Sequence, residues 1–342
     1  MNGSATFNRL DLSAYQGRDI AVLGLGISGQ SAATALQGAG ARVMAWDDSS
    51  ERRAAISAKG VSAVDLMGVD FKTVDALVLS PGIPHGHPHS HPMIDRARDA
   101  DCQIVCDLEL LTRVETDARY IGITGTNGKS TTTALIGHIL SETGIANAVG
   151  GNIGAPSLDL LEDEASCYVL ELSSYQLELS TQLPLKVAAL LNLSPDHLDR
   201  YETVDDYYAA KSHIFSSAEY AVVHRDIAHY AASKGVRNRQ IFSAGNPQDN
   251  AEFGLIERGG QRYLARGQDV LLAVHSLKSN GTSHCLNALA ALAIGECLGL
   301  DMNQMLSDIG QFSGLRHRCQ RIERHDGRTW VNDSKATNVG AT

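Results

Sequence analysis

The most constraining stretch of this sequence runs Thr-Gly-Thr-Asn-Gly-Lys-Ser-Thr over residues 124–131. It follows an apolar run at residues 120–123 and precedes a segment with helical spacing that ends near Gly144. A strand, a glycine-bearing turn and a helix N-terminus with Lys129 form a phosphate cradle, because backbone N–H groups and the helix dipole both face the anion. A hydroxyl after that lysine can ligate a phosphate-bound Mg²⁺. The stretch predicts a nucleoside-triphosphate site, although Ile123 stands where the P-loop pattern has glycine.

Length and charge limit the partners of the chain. Its 342 residues are enough for two or three domains with buried cores. The net charge of −10 does not attract nucleic acid or an anionic membrane. No apolar run approaches the roughly 20 residues that span a bilayer, and the polar residues 1–15 lack a signal-peptide core. Six scattered cysteines favour free thiols in a reducing compartment. Together these features predict a cytoplasmic protein without nucleic-acid partner or membrane insertion.

The first hundred residues predict a parallel sheet built from βαβ units. Apolar runs that alternate with helical segments lie at Ile20–Leu23, Val43–Trp46, Ala76–Leu79 and Ile104–Val105. The first run leads into a G-x-G-x-x-G turn at residues 24–29, and Asp47 ends the second, where an acid can meet a ribose. The third leads into a turn at residues 80–84. This edge predicts one nucleotide-sized ligand and leaves open a nicotinamide cofactor, another nucleotide or an empty tight turn.

Histidines occupy alternate positions from His85 to His91, between prolines at positions 84, 88 and 92. The spacing is compatible with a metal clip. No carboxylate or cysteine completes a ligand set, however, and the prolines favour an extended loop. We therefore expect a solvated surface loop, with metal binding left open.

A second α/β unit is expected from about residue 108, with candidate chemistry at its strand ends. The apolar strand Cys167–Leu170 ends in Glu171, and an acid one strand away from a P-loop is a common Mg²⁺ ligand. A later apolar run ends before a cluster that contains His197, which is a metal ligand, an acid–base group or a structural histidine. A helix that begins after Thr203 carries Lys211.

The last hundred residues predict small antiparallel hairpins at 240–275, a long helix at His284–Leu298 and a further hairpin at Cys319–Val331. A dense polar run at residues 332–338 directly follows this last hairpin.

Taken together, these motifs resemble the Mur ligase family, and within it the ligases that join D-glutamate to UDP-N-acetylmuramoyl-L-alanine. The resemblance spans nearly the whole chain. Besides residues 124–131 it rests on Ser80–Ile83, Gly151–Gly154, Leu170–Leu177, Asp196–Tyr201, Gly314–Arg318 and Asn332–Asn338. One motif differs, since residues 281–287 read Gly-Thr-Ser-His-Cys-Leu-Asn where the family usually has G-x-H-N-x-x-N.

The resemblance implies an α/β fold of three parts: a Rossmann-like UDP-substrate domain at 1–107, a P-loop domain with a small antiparallel sheet at 108–314, and the start of a Rossmann-like ligase domain at 315–342. It implies a monomeric, ATP-dependent amide ligase of peptidoglycan synthesis, which serves cell-wall biogenesis, cell shape and division. ATP would phosphorylate the alanine carboxylate, and the amine of D-glutamate would attack the acyl phosphate. Because the family's third domain is longer, we also expect this chain to bind the UDP substrate but to ligate poorly or not at all.

The matched motifs imply a role for each site residue. Nucleotide binding would fall to Gly125, Thr126, Asn127, Gly128, Lys129, Ser130, Thr131, Asn287, Arg318 and Asp333. Substrate binding would fall to Ile27, Ser28, Asp47, Gly82, Asn152, His197, Lys335 and Thr337. Two Mg²⁺ sites are implied, one at Ser130 or Thr131 with Glu171, the other at His197 with a carbamylated Lys211. The implied catalytic set is Lys129, Glu171, His197, Lys211 and Lys335.

Three alternatives stay open. The first is another ligase of the Mur superfamily, such as a folylpolyglutamate synthase, which would lack the N-terminal UDP-binding part. The second is a nucleotide-binding module without catalysis. The third is an NAD-dependent dehydrogenase, which would leave the phosphate loop and Lys335 unexplained.

Overall fold

The structure is a computed structural model that describes residues 12–114, 117–162, 164–181, 183–279, 281–323 and 329–336. The strands in these ranges are β1 (Asp19–Leu23), β2 (Arg42–Trp46), β3 (Ser62–Ala63), β4 (Ala76–Leu79), β5 (Gln103–Val105), β6 (Arg119–Thr124), β7 (Asn147–Gly151), β8 (Cys167–Glu171), β9 (Leu185–Leu190), β10 (Tyr220–His224), β11 (Asn238–Phe242), β12 (Phe253–Arg258), β13 (Gln261–Arg266), β14 (Asp269–Ala273), β15 (Gln320–Glu323) and β16 (Thr329–Asn332). The α-helices are α1 (Ile27–Gly38), α2 (Ser50–Ala58), α3 (Pro92–Asp99), α4 (Asp107–Thr112), α5 (Lys129–Glu142), α6 (Ser174–Leu179), α7 (Val204–Ser212), α8 (Ala228–Ser233), α9 (Thr282–Cys297) and α10 (Met302–Gln311).

The N-terminal unit contains the parallel sheet that its apolar runs predict. Five strands lie in the order β3-β2-β1-β4-β5, and every pairing is parallel. Successive residues of β1 enter two different core clusters, with Ile20 and Val22 in one and Ala21 and Leu23 in the other. Both faces of the strand are therefore buried, which explains its uninterrupted apolar sequence.

The central unit is built on one larger mixed sheet. Nine strands lie in the order β14-β13-β12-β11-β10-β9-β6-β8-β7, parallel from β7 as far as β12 and antiparallel from β12 to β14. The predicted antiparallel strands are present, but they extend this sheet and do not form a separate one. The reason is a single parallel pairing, Phe242 with Phe253, which attaches the hairpin strands to the edge of the sheet.

Helix α4 joins the two units. Its leucines at positions 108, 110 and 111 are fully buried in a cluster that includes side chains from both sheets. The predicted boundary between residues 107 and 108 falls in the first turn of this helix, and the boundary stays a prediction.

Two further elements agree with their sequence signals. Thr203 and Asp206 form a reciprocal capping box at the start of α7, as predicted. Strands β15 and β16 pair antiparallel within the predicted hairpin at Cys319–Val331, and residues 324–328 between them lie outside the described residues. In the described ranges, none of the helices has the length and apolar character that crossing a membrane requires.

Candidate active site

Two cavities open at the carboxyl ends of the parallel strands. The N-terminal cavity has a volume of about 550 Å³ and is lined by Gly24, Gly26, Ile27, Ser28, Asp47, Arg52, Ser80, Pro81, Gly82, Ile83, Gly151, Asn152, Gly154, Pro156, Ser173, Tyr175 and Gln176. The phosphate-loop cavity, of about 280 Å³, is lined by residues 126–131, Asn152, Glu171, His197, Ser283, His284, Asn287, Arg318, Cys319, Asp333, Lys335 and Ala336. Asn152 lines both, so the two cavities meet at its side chain.

The N-terminal cavity gathers the residues that were assigned to the UDP substrate. Ile27, Ser28, Asp47, Gly82 and Asn152 all lie in its wall. Ile27 begins helix α1 with its side chain 77% exposed, an unusual position for an apolar residue. A ligand that covers it would gain from the removal of this apolar surface from water.

The Asp47 carboxylate is hydrogen-bonded to backbone N–H groups beside this cavity. Its carboxylate accepts hydrogen bonds from the backbone N–H groups of Leu25 at 2.7 Å and Ser49 at 2.8 Å, and the Arg52 guanidinium lies 3.2 Å away. Burial alone would raise the pKa of Asp47, but these two hydrogen bonds and Arg52 outweigh it and lower that pKa. The sequence had indicated Asp47 as a ribose contact, and the structure adds that it holds the glycine-rich turn in place.

The conformation of the phosphate loop depends on Gly128 and on Asn192, which lies just after β9. Gly128 has φ of +82°, and a Cβ there would lie 2.5 Å from Asn287 Oδ1. Asn192 braces the loop, because its Oδ1 accepts from the backbone N–H of Asn127 at 2.8 Å and its Nδ2 donates to the carbonyl of the same residue at 2.9 Å. The braced loop and the start of α5 both line the cavity, where the N-terminus of a helix favours an anion.

Lys129 lies along its own loop. Its Nζ donates to the carbonyl oxygens of Gly125 and Thr126, at 2.8 Å each. Burial lowers the pKa of Lys129, while the neighbouring Glu171 carboxylate opposes that shift. A triphosphate in the cavity offers this ammonium stronger, charged acceptors than two carbonyls.

Glu171 and Asn152 form the junction of the two cavities. Glu171 is 3% exposed, and its Oε1 accepts a hydrogen bond of 2.9 Å from Asn152 Nδ2. Its Oε2 is buried and has no hydrogen-bond partner among the residues that the structure describes. A buried carboxylate oxygen without a donor is costly, and one in a cavity that Ser130 also lines fits a divalent cation ligand.

His197, which lines the phosphate-loop cavity, and Lys211, which does not, both contact an aromatic cluster. The His197 ring packs against Tyr175 at 5.4 Å and Tyr207 at 5.8 Å between ring centres, and its φ is +54°. Lys211 does not line the cavity: it is 2% exposed, with Nζ 4.8 Å from the centre of the Tyr207 ring. Burial first, and then the charge of Lys129, push the pKa of Lys211 well below the ordinary lysine value. A deprotonated amine is the form that reacts with CO₂.

The C-terminal side of the phosphate-loop cavity is formed by the hairpin and by α9. Asn287, Arg318, Asp333 and Lys335 all line it, so the changed motif at 281–287 still brings Asn287 to the loop. Asp333 Oδ1 accepts from the backbone N–H of Cys319 at 2.9 Å, whereas its Oδ2 is buried without a partner in the described ranges. Thr337, also assigned to this side, lies outside the described residues.

Several residues at the site escaped the sequence analysis. Asn192 braces the loop, Tyr207 hydrogen-bonds Thr126 at 3.2 Å between side-chain oxygens, and His284 lines the cavity with a pKa lowered by burial. Arg52 lines the other cavity. Of these residues only Arg52 could have been found from the sequence, because it is a basic residue five positions after the candidate ribose ligand Asp47.

The histidine run at 85–91 proves to be only partly a solvated loop. His87 and His89 are exposed as expected, but His85 is 9% exposed, with Nε2 3.4 Å from Glu178 Oε2. His91 caps α3, since its Nδ1 accepts from the backbone N–H of Met93. No group of three or more histidine, cysteine or acidic side chains within the described ranges is arranged to hold a metal ion.

The chain is similar to a known protein family and to named relatives. The Mur ligase middle domain family matches residues 123–295. The chain is 40% identical to the UDP-N-acetylmuramoylalanine--D-glutamate ligase of Paramagnetospirillum magneticum, over 97% of this chain and 74% of that protein. It is 38% identical to the ligase of the same name from Caulobacter vibrioides, with the same coverage.

Solved structures agree on the fold. A UDP-N-acetylmuramate:L-alanyl-gamma-D-glutamyl-meso-diaminopimelate ligase from Neisseria meningitides superposes with a TM-score of 0.59 at 16% identity, over 88% of this chain and 99% of that one. The UDP-N-acetylmuramate-alanine ligase MurC of Thermotoga maritima gives a TM-score of 0.55 at 21% identity, over 92% and 74%. With a matching domain family, relatives near 40% identity over most of their length and a shared fold, this chain belongs to the Mur ligase family.

Proposed function

We propose that this protein is an ATP-dependent ligase that joins D-glutamate to UDP-N-acetylmuramoyl-L-alanine through an acyl-phosphate intermediate. The names of its relatives, at about 40% identity, support this member of the family. Both cavities are formed by one chain, which supports action as a monomer. Because ATP and a UDP-linked sugar are soluble metabolites of the cytoplasm, we propose that compartment.

The observation that carries the proposal is the meeting of the two cavities at Asn152 and Glu171. A substrate whose UDP part lies along residues 24–29 and 80–83 would extend past Asn152 toward the phosphate loop. Its terminal carboxylate would then approach the γ-phosphate of ATP bound at residues 126–131. A carboxylate oxygen attacks the γ-phosphorus, the bond from phosphorus to the ADP oxygen breaks, and the product is an acyl phosphate.

Residues of this chain supply the positioning that such a transfer needs. The backbone N–H groups at the start of α5 would bind the β- and γ-phosphates, and Lys129 would leave the carbonyls of Gly125 and Thr126 to pair with them. The orphaned Oδ2 of Asp333 is suited to accept a ribose hydroxyl. Asn287 and Arg318 would border the rest of the nucleotide.

The donor set around Glu171 fits Mg²⁺. Glu171 Oε2 and the hydroxyl of Ser130 or Thr131 would hold one ion, and His197 with a Lys211 carbamate would hold a second. When bound, the ions neutralise charge that develops on the phosphate oxygens. A carbamate at Lys211 needs a neutral amine, and the lowered pKa of this buried lysine supports that.

The second half of the reaction would occur on the hairpin side of the cavity. The free amine of D-glutamate attacks the carbonyl carbon of the acyl phosphate, and the tetrahedral intermediate expels inorganic phosphate to leave the amide. Lys335 lies at this wall, where its ammonium would stabilise the departing phosphate. We assign Thr337 to the same side from its motif alone.

Isothermal titration separates this proposal from a different Mur ligase. UDP-N-acetylmuramoyl-L-alanine should bind the chain at least about tenfold more tightly than UDP-N-acetylmuramate, because only the former reaches past Asn152. The reverse preference would identify a ligase that adds the preceding alanine. Binding of neither compound, together with no binding of a non-hydrolysable ATP analogue with Mg²⁺, would refute the assignment. For the acceptor, labelled D-glutamate and L-glutamate are compared for incorporation into the UDP-linked product.

A further inference from the structure

Arg200, in the central unit, hydrogen-bonds the turn that forms one wall of the N-terminal cavity. Its Nη1 donates to the carbonyl oxygen of Gly82 at 3.0 Å, and its Nη2 donates to that of Ile83 at 3.3 Å. Gly82 and Ile83 belong to the turn after β4 that lines the N-terminal cavity. One planar guanidinium therefore fixes two successive carbonyl groups of the other unit, a geometry that suits the rigid fork of arginine.

The same guanidinium also contacts the aromatic cluster of the central unit. Its Cζ lies 4.5 Å from the centre of the Tyr175 ring, within the range of a cation–π interaction. Tyr175 lines the N-terminal cavity and meets His197 edge-on at 5.4 Å, and His197 lines the phosphate-loop cavity. An unbroken series of contacts thus leads from the turn through Arg200 and Tyr175 to His197.

The turn that Arg200 contacts has little freedom to shift without changing the cavity. It packs directly against Gly24, where a Cβ would come within 2.7 Å of both Ile83 Cγ1 and Ser80 Cβ. Its continuation is held from within the N-terminal unit by Arg98, whose Nη2 donates to the carbonyl of His85 at 2.8 Å. Arg98 therefore holds His85, which lies beyond the turn and outside the cavity lining, whereas Arg200 holds the lining residues Gly82 and Ile83 themselves.

We propose that Arg200 is a positioning residue that sets the 80–83 wall of the N-terminal cavity from the central unit, and so aligns a bound UDP substrate with the phosphate loop. The identity of that substrate rests on the function proposed above. Arg200 does not line the N-terminal or the phosphate-loop cavity, so it acts through Gly82, Ile83 and Tyr175. A lysine at this position would keep the charge but cannot donate to two carbonyls and stack on a ring with one ammonium.

The test is isothermal titration of Arg200→Gln, Arg200→Lys and the wild-type chain with UDP-N-acetylmuramoyl-L-alanine, and separately with a non-hydrolysable ATP analogue and Mg²⁺. For Arg200→Gln we expect the dissociation constant of the UDP substrate to rise at least about tenfold, while that of the analogue changes less than about twofold. Arg200→Lys should lose most of the same affinity. Thermal unfolding of each variant establishes that it is folded at the titration temperature.

Arg98→Gln is the matched control, because it removes a guanidinium–carbonyl bond to the same loop from within the N-terminal unit. We expect its substrate affinity to stay within about threefold of wild type. Equal losses in Arg98→Gln and Arg200→Gln would overturn the proposal, as would wild-type substrate affinity in Arg200→Gln or an equal loss for both ligands. A wild-type chain that fails to bind the substrate would instead refute the proposed function, and this inference with it.

Discussion

Gly29, the third glycine of the G-x-G-x-x-G turn, yields the sharpest stability prediction. It lies in the first turn of α1 and is buried against the end of β1. A Cβ built there lies 1.8 Å from the carbonyl oxygen of Gly24 and 2.9 Å from its carbonyl carbon. Both are backbone atoms, so no side chain can move aside, and α1 would have to withdraw from β1 by about 1 Å.

Gly29→Ala should therefore lower the free energy of unfolding of the N-terminal unit. Overpacking against a well-packed core costs about 1–3 kcal/mol, and we expect the upper end here because the obstructing atoms at Gly24 are backbone. Alanine returns up to about 1 kcal/mol through its higher helix propensity, which leaves a net loss of roughly 2 kcal/mol. The shift also displaces the start of α1, so affinity for the UDP substrate should fall as well.

Gly26→Ala is the matched control from the same motif. Gly26 is the N-cap of α1 with φ of −67°, and a Cβ there meets no atom within 4 Å. Alanine is a weaker N-cap than glycine, so we expect a loss below about 1 kcal/mol. Urea unfolding followed by the fluorescence of Trp46, which lies in β2 of the same sheet, measures both variants. Equal unfolding midpoints for the two variants would refute the packing argument.

Three further predictions follow from single contacts. Glu171→Gln should reduce the gain in affinity that Mg²⁺ gives an ATP analogue at least about tenfold. Titrations of the analogue with Mg²⁺ and with a chelator measure that gain, and an unchanged gain would contradict the assignment of Glu171 as a Mg²⁺ ligand. Tyr207→Phe should lower the free energy of unfolding by about 1 kcal/mol through the lost hydrogen bond to Thr126, measured in urea. Burial, then the charges of two nearby arginines, lower the pKa of His85 from 6.5 to about 4. As the pH falls below 6.5, His85 therefore takes up a proton in the unfolded chain before it does so in the folded one. The free energy of unfolding should be about 2 kcal/mol lower at pH 5 than well above pH 6.5. Urea unfolding at both pH values measures this difference, and His85→Gln should remove it.

The parts of the site that could be predicted are those whose chemistry is local in sequence. The phosphate loop is one continuous stretch, since a strand, a turn and a helix start need no distant residue to form an anion cradle. The capping box of Thr203 and Asp206 is likewise complete within four residues. The apolar runs of the N-terminal sheet were recognised because burial on both faces leaves an uninterrupted apolar signal.

The parts that could not be predicted depend on pairings between distant segments. Asn192 braces Asn127 across 65 residues, and nothing in its own surroundings distinguishes it from any other polar residue at a strand end. Strand β3 has only two residues, Ser62 and Ala63, both exposed, so it leaves no apolar signal. His85 is buried, and its Nε2 lies 3.4 Å from Oε2 of Glu178, a residue of the other unit.

The register of two neighbouring strands explains how Glu171, at the phosphate-loop cavity, contacts Asn152, which lines both cavities. Strands β7 and β8 pair with Gly151 opposite Glu171, which places Asn152 just past the strand ends. The backbone N–H of Asn152 donates to the Glu171 carbonyl at 2.9 Å, and its Nδ2 donates to Oε1 at the same distance. Asn152 thereby occupies Oε1, and Oε2, which has no hydrogen-bond partner among the described residues, remains available at the phosphate loop.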